Sequence, residues 1–150
     1  MTTILLAEDE LELYDRYLAE LERAGFNVYH TIDGTGIIKI AEEYDIDIIV
    51  SDTKLDNHTY GYEACKSLLD DGKLKKKRGI DEKFKSDFPS CKNNEVFIIG
   101  MSTVRSNDEY WIGIAHEFYH KDGIYDLGKT VRCLYDEFQK NKNMRRYKVF

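Results

Sequence analysis

The sequence predicts an α/β fold: a parallel sheet of five strands covered on both faces by helices. Three observations predict it. Strand-length apolar runs alternate with helical-period segments along nearly the whole chain. The run Ile46-Asp47-Ile48-Ile49-Val50-Ser51-Asp52 is β-branched and almost uninterrupted, as suits a strand buried on both faces. The polar residues best suited to chemistry fall where these runs end, at the carboxyl edge where open α/β sheets bind ligands.

The first strand is Thr3 to Ala7, followed at once by Glu8-Asp9-Glu10. Leu11, Tyr14, Leu18 and Leu21 then recur at helical spacing until Gly25 stops the helix. Phe26 to Thr31 reads as the second strand, closed by a turn at Asp33-Gly34, and Ile37, Ile40, Ala41 and Tyr44 mark the second helix. The third strand ends at Asp52. A polar loop, Thr53 to Tyr60, leads into a third helix carrying Tyr62, Cys65, Leu68 and Leu69. Asp70 to Asn94 breaks the rhythm: Lys73, Lys75, Lys76, Lys77 and Arg78 precede a mixed stretch with Phe84, Phe88 and Pro89, which reads as a solvated surface insert. Val96 to Met101 resumes as a fourth strand ending in Ser102-Thr103. Asn107 to Ile114 gives a short helix, Glu117 to His120 a fifth strand ending in Lys121. Ile124, Leu127, Val131, Leu134 and Phe138 form the last helix, and Lys140 to Lys148 reads as a frayed basic tail. Short connections and right-handed crossovers favour the flavodoxin-like strand order 2-1-3-4-5 in a three-layer (βα)5 domain.

Bulk properties agree. A chain of 150 residues, 42% apolar and 33% charged, suits a single domain with an insert near 70–94 and a tail near 140–150. A net charge of −6 argues against general affinity for nucleic acid. No apolar run is long enough to span a membrane, and the first residues carry no signal-peptide pattern. Cys65, Cys91 and Cys133 are odd in number and lack metal-ligand spacing, which fits free thiols in a reducing cytoplasm.

The strand ends gather Glu8, Asp9, Asp52, Ser102 and Lys121. Three carboxylates at one edge repel one another and favour a hard divalent cation such as Mg²⁺ (or Mn²⁺), which keeps several waters and takes few carboxylates. An acid, a hydroxyl and a lysine around one aspartate form a set for phosphoryl transfer. Asp52 can act as nucleophile, with the cation and Lys121 neutralising charge on the transferring group.

In order, Leu5-Leu6-Ala7-Glu8-Asp9-Glu10, Ile48-Ile49-Val50-Ser51-Asp52, Ile99-Gly100-Met101-Ser102-Thr103 and Phe118-Tyr119-His120-Lys121 resemble the motifs of receiver domains of two-component response regulators. The resemblance spans the chain apart from the insert and tail. It implies a stand-alone, cytoplasmic, single-domain response regulator that accepts a phosphoryl group on Asp52 and switches partner binding. It implies no enzymatic activity beyond self-catalysed transfer and autodephosphorylation at that residue. It further implies that Glu8, Asp9, Asp52 and the backbone carbonyl of Lys54 hold Mg²⁺. Ser102 and Lys121 bind the phosphoryl group, and Phe118 is the aromatic switch. The implied partners are a sensor histidine kinase or histidine phosphotransfer protein and a downstream protein target, with neither DNA nor membrane binding. A homodimer would pair through the face of the fourth helix, fifth strand and fifth helix. This sequence departs from the pattern: the loop after the acceptor has Asp56 in place of the family's proline, Gly61 lies slightly later than usual, Lys121 is followed by Asp122 instead of proline, the insert at 70–94 is foreign to it, and the segment from Ser102 to Lys121 is short, which predicts an abbreviated fourth helix.

Two alternatives accompany this reading. One is a pseudo-receiver, the same fold binding partners without phosphorylation. The other is a zinc peptidase, because His116-Glu117-Phe118-Tyr119-His120 matches H-E-x-x-H. That chemistry needs both histidines on one helical face, with Glu117 as base, whereas these residues coincide with the expected fifth strand.

Overall fold

The computed structural model describes residues 1–77, 95–121 and 126–145, with side chains as far as 140. The elements run β1 (Thr3–Ala7), α1 (Leu11–Arg23), β2 (Asn27–Thr31), α2 (Gly34–Glu43), β3 (Ile48–Asp52), α3 (Gly61–Asp70), β4 (Lys75–Lys76), β5 (Glu95–Ser102), a 3-10 helix (Arg105–Trp111), β6 (Glu117–His120) and α4 (Leu127–Arg145). All strand pairings are parallel, in the order β2-β1-β3-β5. The outer edge of β5 is shared: β4 pairs beside Glu95 and Val96, and β6 beside Ile99 to Ser102. The expected flavodoxin-like order is thus present as β2-β1-β3-β5-β6, with the two-residue β4 added as a sixth strand.

Alternation along the strands divides the core in two. Leu5, Ala7, Ile49 and Ile98 face α2 and α3, against Ile37, Ala41, Ala64, Cys65 and Leu68. Ile4, Leu6, Ile48, Val50, Phe97 and Ile99 face α1 and α4, against Tyr17, Leu21, Leu127, Val131 and Tyr135. Each large aliphatic side chain buried this way contributes about 2 kcal/mol. These two apolar layers therefore hold the strand ends in register at the carboxyl edge.

Several local expectations are corrected. On α1 the contact is carried by Tyr17 and Leu21, whereas Leu11, in the first turn, is 70% exposed and Leu18 only half-buried. The second strand begins at Asn27, after Phe26. Asp33 and Gly34 start a helix instead of closing a turn, because Asp33 Oδ1 accepts from the Gly36 N–H at 2.7 Å and caps α2. The fourth helix is abbreviated, as expected, but it is a 3-10 helix beginning at Arg105. The insert starts as packed structure: the amides of Lys73 and Leu74 donate to the Leu68 carbonyl, Leu74 is buried, and β4 follows. Residues 78–94, with Arg78, Phe84, Phe88, Pro89 and Cys91, lie outside the described residues, as do 122–125 with Asp122 and Ile124. The stretch expected to be a frayed tail is helical as far as Arg145. Among the described residues no helix is long and apolar enough to cross a membrane.

Candidate functional site

Four strand ends meet at the carboxyl edge. Glu8 follows β1. Its amide donates to the Thr31 carbonyl at 3.1 Å, and its own carbonyl accepts from His30 Nε2 at 2.8 Å. His30 is held in turn by stacking on Tyr14, centroids 3.5 Å apart. β2 thereby fixes the backbone from which the Glu8 and Asp9 side chains project. Asp52 ends β3, and Lys121 follows β6 directly, its amide donating to the Ser102 carbonyl at 2.8 Å and extending the ladder with β5.

The side chains converge. Lys121 Nζ donates to Glu8 Oε1 at 2.6 Å and to Asp52 Oδ2 at 3.1 Å. Asp52 Oδ1 accepts from the Thr53 N–H at 2.9 Å. One carboxylate oxygen from each of Glu8, Asp9 and Asp52 lies within 4.8 Å of the others. The Glu8 side chain is fully buried and that of Lys121 nearly so. Burial pushes Glu8 up, to about 7; the Lys121 hydrogen bond opposes this and the charge of Asp52 adds to it. Burial also works against the charge of Lys121, yet Asp52 and Glu8 together outweigh it and raise its pKa, so the ammonium persists. Three acids against one ammonium leave an excess of negative charge. A set of hard oxygens with that excess fits a divalent cation such as Mg²⁺ or Mn²⁺.

The other residues singled out from the sequence are distributed as follows. Lys54 lies in the loop after Asp52, bridged to Tyr60. That loop turns through Asn57 and His58, with φ of 58° and 54°. It is fastened to the start of α2 by the Asp56 amide on the Ile32 carbonyl and by Thr59 Oγ1 accepting from the Gly34 N–H at 2.9 Å. Proline at position 56 would remove the amide that bonds the Ile32 carbonyl, since proline carries no N–H. Ser102 is buried, and its Oγ accepts from the Val104 N–H at 3.0 Å and from Asn107 Nδ2 at 2.9 Å. Its own proton can still be donated. Phe118 lies opposite Gly100 in the ladder, half-buried against the α2–α3 side of the core.

The peptidase pattern is not a zinc site. Glu117 to His120 form β6, not a helix. His116 Nδ1 accepts from the Ile98 N–H at 3.0 Å, and its Nε2 lies 2.9 Å from the Lys77 carbonyl, to which it donates. His120 Nε2 contacts the Thr103 carbonyl at 2.8 Å. The first histidine therefore closes the gap between β4 and β6 on the edge of β5, with neither ring nitrogen left for a metal.

Three residues close to the site escaped sequence reasoning: His30, Thr53 and Trp111. Thr53 Oγ1 donates to the Met101 carbonyl at 2.7 Å and accepts from Trp111 Nε1 at 2.9 Å. A glycine within the fourth strand was the available signal, since such a position marks a close approach. A Cβ on Gly100 would sit 2.4 Å from the Trp111 ring.

No family model matches the sequence, and no curated protein matches it by sequence. Solved structures do match the fold. A CheY-like response regulator receiver domain protein from Methanospirillum hungatei aligns over 96% of this chain and 98% of its own, with a TM-score of 0.66 and 12% identity. The response regulator TrrA from Thermotoga maritima, in complex with Mg²⁺ and BeF, aligns over 92% and 99%, with a TM-score of 0.67 and 16% identity. The receiver domain of a sensor histidine kinase from Pseudomonas aeruginosa, with a magnesium ion coordinated in its active-site cleft, aligns over 91% and 97%, with a TM-score of 0.64 and 20% identity. Sheet order, helix placement and these likenesses agree that the chain has the CheY-like fold of response-regulator receiver domains.

Proposed function

We propose that this protein is a response regulator of a two-component phosphorelay, with Asp52 as phosphoryl acceptor. The observation that carries the reading is the convergence of Glu8, Asp9 and Asp52 on one buried lysine, with a proton-bearing hydroxyl, Ser102, at the end of the neighbouring strand. In the transfer a carboxylate oxygen of Asp52 attacks phosphorus, the bond from phosphorus to the donor breaks, and an acyl phosphate forms as the donor leaves with its electron pair. Oδ1 is engaged by the Thr53 amide, so Oδ2, facing Lys121, is the attacking atom. Lys121 then follows the developing negative charge from carboxylate to phosphoryl oxygen. Ser102 turns to donate its free proton to the same group, and Phe118 repacks as that loop moves. Glu8, Asp9, Asp52 and the Lys54 carbonyl would hold Mg²⁺, which supplies charge neutralisation for the phosphoryl oxygens when bound.

The donor class is a phosphohistidine on a sensor kinase or phosphotransfer protein, in the cytoplasm, and a downstream protein reads the switched state. Transfer from a small phosphodonor, followed by borohydride reduction of the acyl phosphate and peptide mapping, tests the assignment. The reduced residue is expected at position 52; reduction elsewhere, or nowhere in a folded protein, overturns the assignment and favours a phosphorylation-independent binding module.

A further inference from the structure

The 3-10 helix is tied at both ends to residues adjoining Asp52. At its start, Ser102 Oγ accepts from the Val104 amide and the Asn107 side chain. At its end, the Trp111 indole N–H donates to Thr53 Oγ1 at 2.9 Å, while the Thr53 hydroxyl donates to the Met101 carbonyl at 2.7 Å. The Thr53 amide reaches Asp52 Oδ1 and the Met101 carbonyl, each at 2.9 Å. Thr53 is therefore held between the acceptor carboxylate, the end of β5 and the indole, and cannot shift without shifting one of its partners. Trp111 is 2% exposed and seated where only a glycine leaves room in β5. Beyond it, Tyr62 lies edge-on to the indole at 6.3 Å and stacks on Tyr110 at 4.9 Å, and Tyr110 is 48% exposed. A continuous path of contacts thus runs from Asp52 through Thr53 and Trp111 to a surface ring stack.

We propose that Thr53 and Trp111 form a second coupling between Asp52 and the 3-10 helix, separate from Ser102, with Thr53 as the positioning residue. The inference rests on the acceptor reading above. Phosphorylating Asp52 changes what its oxygens offer the Thr53 amide, and Thr53 passes the change to the indole. When Ser102 turns toward the phosphoryl group, it gives up the bond from Asn107 and releases the start of the 3-10 helix. The end remains pinned by Trp111, so the segment pivots there and its start, at residues 105–107, moves farthest. Thr53 and Trp111 set where the motion is anchored, and Ser102 sets when it is released.

Trp111 is the sole tryptophan of the chain, so its indole N–H gives a single resonance. The test titrates the ¹⁵N-labelled full chain with Mg²⁺ and beryllofluoride, following bound fluoride by ¹⁹F and the indole and backbone amides by ¹H–¹⁵N spectra. In the wild type, bound fluoride displaces the indole resonance and the amides of residues 105–111. In Thr53→Val, which keeps shape and the backbone bond to Asp52, fluoride still binds. The indole proton then exchanges with solvent at least tenfold faster, and the fluoride-induced displacement of those amides falls below a third of wild type. Thr53→Ser restores both. If Thr53→Val fails to fold, Trp111→Phe, read on the same amides, replaces it. Fluoride bound with the indole resonance unchanged, or Thr53→Val responding as wild type, overturns this inference alone. Absence of bound fluoride in the wild type overturns the acceptor reading and this inference with it.

Discussion

Two partly buried ionisable clusters lie along the outer edge of β5 and are balanced in opposite ways. Near the middle of the strand, His116 gives one ring nitrogen to the Ile98 amide and the other to the Lys77 carbonyl, with its ring against Phe97 and Phe138. Burial pushes its pKa down to about 4, nearby Lys76 and Lys77 add to the fall, and the Lys77 carbonyl opposes it, so the ring is neutral and satisfied. At the carboxyl end, Lys121 faces Glu8 and Asp52 with Asp9 close by, and negative charge remains uncancelled. A polar group whose bonds are all made to backbone belongs to the scaffold. A cluster holding unneutralised charge in a buried place is costly to fold, and its retention points to a ligand or reaction. The contrast separates the two motifs, H-E-x-x-H and the acidic set, that compete for the same strand in the sequence.

That contrast can be broken. The largest expected effect is on folding. His116→Ala strips partners from two backbone groups and opens a cavity beside Phe97 and Phe138, and should cost about 3 kcal/mol in chemical denaturation. Phosphodonor labelling at Asp52 should survive in whatever fraction folds. Loss of labelling in folded protein would show that the two clusters are not independent.

Next comes the charge excess. Lys121→Met removes the cation shared by Glu8 and Asp52. Divalent affinity, titrated calorimetrically with Mn²⁺, should rise roughly tenfold, about 1.4 kcal/mol, because the metal no longer competes with an ammonium. Unchanged affinity would mean that Lys121 does not oppose the metal.

The smallest effect is pH-dependent. His116 has a folded pKa near 4 against 6.5 unfolded, so the folded state favours the neutral ring. Its contribution is complete above pH 6.5 and is lost as pH falls from there toward 4. After allowance for the ring's partial exposure, the loss is about 1 kcal/mol. The difference in stability between wild type and His116→Asn should shrink by that amount over the window. A constant difference would place the charged ring in the native state.

Much of this molecule was legible from its residues. β1, the end of β3 and β6 could be read because short aliphatic or aromatic runs bounded by polar residues leave little choice, and their ends carried Glu8, Asp52 and Lys121 to one edge. Less legible were features that depend on pairing across the sheet. Lys75 and Lys76 look like solvated charge until Glu95 and Val96 provide a strand to join. His116 resembles a metal ligand until the interval between β4 and β6 makes it a backbone bridge. Trp111 looks like one more apolar residue in a short helix, and its seat on Gly100 and its bond to Thr53 arise only when β3, β5 and the 3-10 helix meet. The helical extension to Arg145 was hidden by a run of charge that composition assigns to a tail.

The most direct measurement is intact-protein mass spectrometry after incubation with acetyl phosphate, with and without Mg²⁺, on wild type and Asp52→Asn. With Asp52 as acceptor, the wild type with Mg²⁺ gains a single base-labile phosphoryl increment, and Asp52→Asn gains none under either condition. An equal increment on Asp52→Asn, or none on folded wild type with Mg²⁺ present, would contradict that role.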